Sequence, residues 1–407
     1  MKCRHCTVEL EHTFLDLGYA PPSNAYLTDS DLVRPESYYP LKIMVCDQCW
    51  LVQTEDYTEA DDLFRADYAY FSSTSVGWLA HASRYAKKVI KDFSLDASSL
   101  VIEVASNDGY LLKNFVAAGI PCLGIEPTAS TAEAAEEIGI PVLREFFGEQ
   151  LARRLSQDGK KADLIAGNNV YAHVPDINDF TRGLKEALKF DGTITLEFPH
   201  LMQLINHAQF DTVYHEHFSY LSLHTVSQIF SDAGLRICDV EELATHGGSL
   251  RVYGCHQDDP RVTSPNVDAV LELETLSGLK QLSTYENFQV RADKIKDDLL
   301  LFLLEQKRLN KVVVAYGAAA KGNTLLNYAG VKPDLLRFVC DAGIAKQGKY
   351  MPGSHVPIFP PAALGDSKAD YVLILPWNIA KEVRDQLENS GINGVQYVTA
   401  VPHLDIK

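Results

Sequence analysis

Short apolar runs recur along the middle of the chain, at residues 100–104, 121–125, 164–166, 193–198, 235–240 and 249–254. Segments with helical spacing of apolar positions separate them, beginning with residues 110–118. Runs this short, alternating with helical segments, predict an α/β architecture: a mainly parallel sheet with helices on both faces. The last two runs lie close together, as in a sheet that finishes with an antiparallel hairpin. Residues 264–309 keep helical spacing with mixed charge and read as connecting helices. A second strand-turn-helix unit begins at Lys311-Val312-Val313-Val314-Ala315-Tyr316-Gly317, with later strands at 338–340 and 371–375. The expected division is into residues 1–75, 76–300 and 301–407.

The first middle run leads into a polar turn, Glu103-Val104-Ala105-Ser106-Asn107-Asp108-Gly109, and the second ends in Glu126. An acid just past the second strand is where an α/β nucleotide site grips ribose hydroxyls. Glu126 follows Glu103 by 23 residues, near the spacing that role requires. The turn carries one glycine and not G-x-G-x-x-G, so no pyrophosphate has to sit against its backbone. A nucleoside without phosphates suits it better, and S-adenosylmethionine is the commonest such cofactor. Glu103, Ser106, Asn107, Gly109 and Glu126 are its candidate ligands. Ligands of open α/β sheets bind outside the carboxyl ends of the strands. That rule adds Asn168 to the cofactor group and places His173, five residues on, near the methyl acceptor.

Composition narrows the partners. A chain of 407 residues is expected to form two or three domains. Its net charge of −17 argues against binding nucleic acid or anionic membranes by bulk electrostatics. No apolar run approaches the roughly 18 residues of a membrane span, and Met1-Lys2-Cys3-Arg4-His5-Cys6 has no apolar signal core. A cytoplasmic location is therefore expected, where thiols stay reduced. That makes the eight cysteines candidates for metal or packing. Cys3-x2-Cys6 and Cys46-x2-Cys49, 39 residues apart, supply four thiolates, the closed set that structural zinc prefers. Such a site has no open position for substrate, so its expected role is folding. Cys122, Cys238, Cys255 and Cys340 lie in or beside apolar runs and read as core residues.

Three segments taken together resemble a known family. They are Cys46-Asp47-Gln48-Cys49-Trp50-Leu51-Val52-Gln53, then Glu103 to Gly109, then Tyr214-His215-Glu216-His217-Phe218-Ser219-Tyr220. Their order and spacing are similar to those of the sugar C-methyltransferases that act on nucleotide-linked keto-deoxysugars. Gly317-Ala318-Ala319-Ala320-Lys321-Gly322-Asn323-Thr324 extends the resemblance over nearly the whole chain. It implies a zinc module, a central Rossmann-like class I S-adenosylmethionine domain and a second Rossmann-like C-terminal domain around one cleft. It also implies methyl transfer to a carbon beside a ketone, most commonly C3 of a 4-ketosugar carried on thymidine diphosphate.

That chemistry needs a base, an enolate stabiliser and alignment of the carbon with the methyl sulfonium. His217 titrates near neutrality and is the first choice of base. Glu216 is expected to orient an imidazole, and Tyr214 to donate to the enolate oxygen or shuttle the proton. His215 and His217, two apart, do not converge on a helix face as the ligands of H-E-x-x-H do. In the family a tyrosine of the 68–75 segment lines the cleft, here placed on Tyr70 with Tyr68 as its rival. The resemblance also makes His246-Gly247-Gly248 a cleft wall touching the sugar nucleotide. Lys321 and Asn323, at the start of the C-terminal unit, are expected near its diphosphate. Asp341, 24 residues after Gly317, mimics a dinucleotide site. A nicotinamide-dependent sugar oxidoreductase is thus the rival enzyme, and a methyltransferase with an oxygen or nitrogen acceptor the rival chemistry. A monomer is the expected state.

Overall fold

The computed structural model describes residues 1–55 and 71–407. Tyr68 and Tyr70 lie outside the described residues. Three antiparallel strands open the chain: β1 (His12–Ala20), β2 (Tyr39–Val45) and β3 (Val52–Thr54). Their inward positions, among them Phe14, Leu15, Ile43 and Val52, are buried.

The central domain contains β4 (Val101–Val104), β5 (Cys122–Ile125), β6 (Val142–Leu143), β7 (Ala162–Asn168) and β8 (Leu188–Pro199). After β9 (Ser219–Tyr220) come β10 (Leu235–Leu243) and β11 (Ser249–His256). The sheet runs β10-β11-β8-β7-β4-β5-β6. β4 to β8 are parallel, and β11 is antiparallel to both its neighbours, which is the expected hairpin. Helix Val76–Asp92 shows why its face packs: Ala82, Tyr85, Ala86 and Val89 recur at helical spacing and are buried, and Ser75 caps its N-terminus by accepting from the Trp78 amide.

β9 does not join this sheet. It pairs with β3 instead, Val52 facing Tyr220 and Gln53 facing Ser219, so the first sheet reads β1-β2-β3-β9. The segment immediately after His217 is therefore a strand of the zinc module's sheet.

The C-terminal sheet comprises β12 (Val313–Tyr316), β13 (Val339–Cys340), β14 (Ile358–Phe359), β15 (Tyr371–Ile374), β16 (Gln396–Thr399) and β17 (Asp405–Ile406). Its order is β14-β13-β12-β15-β16-β17, parallel except for β17. Helix Phe288–Arg308 runs through residue 300, where a division was expected. Its buried Ile295, Leu299 and Leu303 share one apolar core with β1, β2, β12 and β15. A second core joins Cys3, Cys46, Cys49 and Leu51 to the central domain. The small N-terminal module thus packs against both larger domains.

Candidate active site

The four expected zinc ligands converge. The sulfurs of Cys3, Cys6, Cys46 and Cys49 all lie within 4.8 Å of one another, with Cys3–Cys49 and Cys6–Cys46 at 3.5 Å. Zn–S bonds of about 2.3 Å in a tetrahedron put sulfurs about 3.8 Å apart, so the set fits the ion. The two knuckles are alike in backbone: the residue after each pair, Thr7 and Trp50, has φ of 63° and 61° and bonds back to the carbonyl of the first cysteine. Gln53 donates to the Cys3 sulfur at 3.3 Å, which orients it from a second layer. Among the described residues, this is the set of metal-capable side chains that comes together.

The expected cofactor turn lies at the carboxyl ends of β4, β5 and β7. Glu126 accepts from the backbone amides of Asn107 at 3.0 Å and Thr128 at 2.9 Å. A carboxylate has about four acceptor sites, so two remain for ribose hydroxyls. Among the described residues, the buried Ser106 Oγ, Asp108 Oδ1 and Asn168 Oδ1 have no hydrogen-bond partner. Orphaned polar atoms around one turn fit a polar nucleoside ligand. Glu103 lies beneath the turn, wholly buried, and burial raises its carboxyl well above the usual range although the Tyr110 hydroxyl faces it.

Two members of the expected set serve the fold. The Asn107 side chain accepts from the Ser72 amide at 2.9 Å and pins the entry to helix Val76–Asp92. Gly109 has φ of 77°, and a Cβ there would overlap Ile140. Glycine is required at that position by the turn and by the apolar packing under it.

Three histidines gather beyond the ends of β7 and β8. The backbone places two of them, because the Phe218 amide donates to the Ala172 carbonyl and so sets 217–218 beside 172–173. The His173 and His217 rings lie 4.6 Å apart, and the Tyr214 ring lies 4.0 Å from His217. His246 is bound at Nε2 by the Asn169 side-chain amide at 3.0 Å. Burial lowers His217 well below the usual imidazole range and takes both His173 and His246 down to about 4. All three are therefore neutral near pH 7.

His217 Nδ1 donates to the Thr212 carbonyl at 2.9 Å. A carbonyl can only accept, so the proton of the neutral ring sits on Nδ1 and Nε2 carries the lone pair. This corrects the expectation for Glu216. The Thr212 carbonyl orients the imidazole, while the Glu216 carboxylate is bound by the Asn24 side-chain amide at 2.7 and 2.9 Å. His215 turns away to the Pro40 carbonyl of β2 at 3.2 Å, so the two histidines flanking Glu216 do not converge.

The C-terminal domain brings Lys321 to the same region. Its ammonium donates to Asn378 Oδ1 at 2.8 Å and lies over the Trp377 ring at 4.6 Å. Trp377 Nε1 donates to Asp211 Oδ2 at 2.7 Å, and burial raises Asp211 to about 6 against the opposing effect of Lys321. Sequence patterning missed Asp211, Trp377, Asn378 and Asn24, because nothing in their neighbourhoods repeats or spaces like a motif.

Other members of the expected substrate set are occupied by protein. A Cβ at Gly247 would overlap the Trp377 ring and one at Gly248 the Gln203 side chain, so protein groups fill the space that glycine leaves. Asn323 is buried and receives the Asn327 amide at 3.2 Å.

The dinucleotide-like crevice of the C-terminal domain is filled as well. The Ala318 carbonyl accepts from the Tyr26 hydroxyl at 2.6 Å and from Lys346 at 2.9 Å. Lys346 also pairs with Asp341 at 3.4 Å, and Asp341 accepts the Gly343 amide at 2.7 Å.

The central sheet, with its single antiparallel strand, and the polar turn after β4 define a class I S-adenosylmethionine-dependent methyltransferase. Three family profiles match along the chain: a zinc binding domain over residues 3–64, a methyltransferase domain over 78–240 and a C-methyltransferase C-terminal domain over 244–402. C-methyltransferase NovU of Streptomyces niveus is 31% identical over 401 residues, covering 98% of this chain and 95% of that protein. The chain belongs to this C-methyltransferase family, with S-adenosylmethionine as methyl donor and a zinc-binding N-terminal module.

Solved structures similar to part of it include magnesium protoporphyrin IX methyltransferase of Synechocystis with bound S-adenosylmethionine. That match has 16% identity, covers 44% of this chain and 80% of that one, and has a TM-score of 0.34. An S-adenosylmethionine-dependent methyltransferase of Anabaena variabilis matches at 14% identity over 49% of this chain and 96% of that one, TM-score 0.38. Among the described residues, no helix is long and apolar enough to cross a membrane.

Proposed function

We propose that this C-methyltransferase methylates the carbon beside the ketone of a nucleotide diphosphate-linked keto-deoxysugar through an enolate. C3 of a 4-ketosugar on thymidine diphosphate is the first substrate to try. The observation that carries the reading is the His217 tautomer, since the Thr212 carbonyl holds the proton on Nδ1 and leaves Nε2 as acceptor. A carbon acid gives up its proton slowly unless a placed base takes it while donors meet the charge developing on the neighbouring oxygen.

In this reading His217 Nε2 takes the proton and the Tyr214 hydroxyl donates to the enolate oxygen. The S-adenosylmethionine sulfonium supplies the electrophilic methyl group. Glu126, Ser106 and Asn168 hold the cofactor, with Glu103, Asn107 and Gly109 shaping the turn. His173 and His246 line the acceptor side, and Lys321 meets the diphosphate. Neutral histidines around Nε2 keep a proton acceptor available, which a cluster of imidazolium groups would not. The eight free cysteines suit the reducing cytoplasm, where nucleotide sugars are made.

The test is solvent exchange. The enzyme, with S-adenosylhomocysteine in place of the donor, is incubated in D2O with thymidine diphosphate 4-keto-6-deoxysugar. Deuterium entering at C3, followed by methylation there once the donor is added, supports the proposal. An enzyme that binds the donor but catalyses neither exchange nor C-methylation on any keto-sugar overturns it.

Two variants test the binding roles. Glu126→Ala is expected to weaken S-adenosylmethionine binding about 10- to 100-fold by calorimetry, the usual worth of a hydrogen bond to a charged group. An unchanged Kd removes Glu126 from the ribose site. Lys321→Ala is expected to raise KM for the nucleotide sugar by a similar factor, about 10- to 100-fold, with the donor Kd unchanged. A normal KM places the diphosphate elsewhere.

A further inference from the structure

Asn24 belongs to the zinc module, yet its side chain ends on the segment that carries the proposed base. Its amide nitrogen reaches both oxygens of Glu216, at 2.7 and 2.9 Å. A donor shared between both oxygens suits an ionised carboxylate, which accepts on each, whereas a protonated carboxyl must aim one O–H at an acceptor. Glu216 is 2% exposed, so its charge depends on donors that replace water.

The loop holding Asn24 is fixed on both sides. Before it, β1 pairs with β2 as far as Ala20 against Tyr39, and two prolines, Pro21 and Pro22, restrict the exit. Around it, the Ala25 amide closes a turn onto the Pro22 carbonyl. After it, the Tyr26 hydroxyl is bonded to the Ala318 carbonyl at 2.6 Å, and Leu27 exchanges backbone hydrogen bonds with Tyr350. The loop is therefore clamped between its own sheet and the C-terminal domain. The Glu216 end is held too: β9 pairs with β3, and the His173 imidazole is hydrogen-bonded to the Glu216 backbone.

We propose that Asn24 is a positioning residue for methyl transfer, fixing the Glu216 side chain and with it the 214–217 segment that carries the proposed base. The inference rests on the reading of residues 214–217 as the acid–base segment. In the step it serves, the substrate C–H bond breaks, its electron pair enters the enolate and its proton goes to His217 Nε2. Glu216 keeps its charge throughout. Among the described residues, titratable groups near Glu216 include Tyr26 from the loop and His173 beyond β7, with Tyr214 and His217 on its own segment. The zinc module then does more than fold: it holds the segment that carries the proposed base.

The experiment uses the full-length, zinc-loaded enzyme and the variants Asn24→Ala, Asn24→Asp and Glu216→Gln. Asn24→Ala is expected to lower kcat and the rate of deuterium exchange about 10- to 100-fold, and Asn24→Asp, which sets a like charge beside Glu216, further. Zinc content, KM for the sugar and donor Kd stay within about twofold. Carbon-13 NMR of carboxyl-labelled glutamate, with the Glu216 signal assigned by its loss in Glu216→Gln, supplies a readout independent of turnover. The Glu216 carboxyl is expected to titrate at higher pH in Asn24→Ala than in wild type. Equal titration, or kcat within about twofold in both Asn24 variants, overturns the proposal. If the wild type exchanges no proton from any keto-sugar, the functional reading falls, and the carboxyl titration alone then decides for or against Asn24.

Discussion

Replacing His217 by alanine is expected to lower kcat about 10²- to 10⁴-fold, the range a positioned general base supplies. Donor affinity should be untouched, because the residues expected to hold the cofactor lie at the ends of β4 and β5 and in Asn168, while His217 sits against His173 and Tyr214. Deuterium exchange without methyl transfer should fall by the same factor, since proton abstraction precedes methylation. Turnover within about twofold of wild type would remove His217 from the mechanism and leave Tyr214 as the next base to test.

The pH profile gives a second check on the same residue. Burial comes first among the causes that lower His217, and His173, His246 and Lys321 push in the same direction. A base with a lowered pKa stays unprotonated as pH falls through the usual imidazole range. The acid limb of kcat/KM is therefore expected well below pH 6.5, and a limb centred at or above it would mean that another group takes the proton.

The largest effect on stability is expected from the metal. Removing zinc with a chelator, or changing Cys46 to serine, should unfold the N-terminal module, as structural zinc contributes about 10–16 kcal/mol to small modules of this kind. Thermal unfolding with parallel zinc analysis checks it. The loss should reach the reaction site, since Gln53 touches the Cys3 sulfur and pairs with Ser219, two residues after His217. A purified protein that lacks zinc yet melts and turns over normally would end the structural-metal reading. It would also break the link between the module and the acid–base segment.

Much of this was legible along the chain. The runs at 100–104 and 121–125, the hairpin at 235–254 and the second strand-turn-helix unit at 311 follow from alternation alone, because strands buried on both faces must be apolar throughout. The paired knuckles were equally plain, since tetrahedral thiolate sites are built from two short turns whose spacing is local. What could not be read is each contact made across domains. A local contact can be just as hidden: the Thr212 backbone carbonyl selects the His217 tautomer from five residues away, and a carbonyl leaves no mark on side-chain pattern. Glu216 shows the contact across domains, being adjacent to His217 in sequence but bonded to Asn24, which is 192 positions away. Gly247 and Gly109 look like ligand-binding glycines in a one-dimensional motif, yet Trp377 and Ile140 take up the space beside them.

By itself the sequence determined the α/β order and the zinc ligands, since these depend on periodicity or short spacing, while the family was legible through the resemblance of its motifs. Only the tertiary structure decided which groups orient the histidines, that β9 belongs to the zinc module's sheet, and that Tyr26 and Lys346 fill the C-terminal crevice. Those outcomes depend on hydrogen bonds whose partners lie from five residues apart, as Thr212 and His217, to 292, as Tyr26 and Ala318. Such bonds form only after the sheets have folded and packed, because the apolar cores bring their partners together.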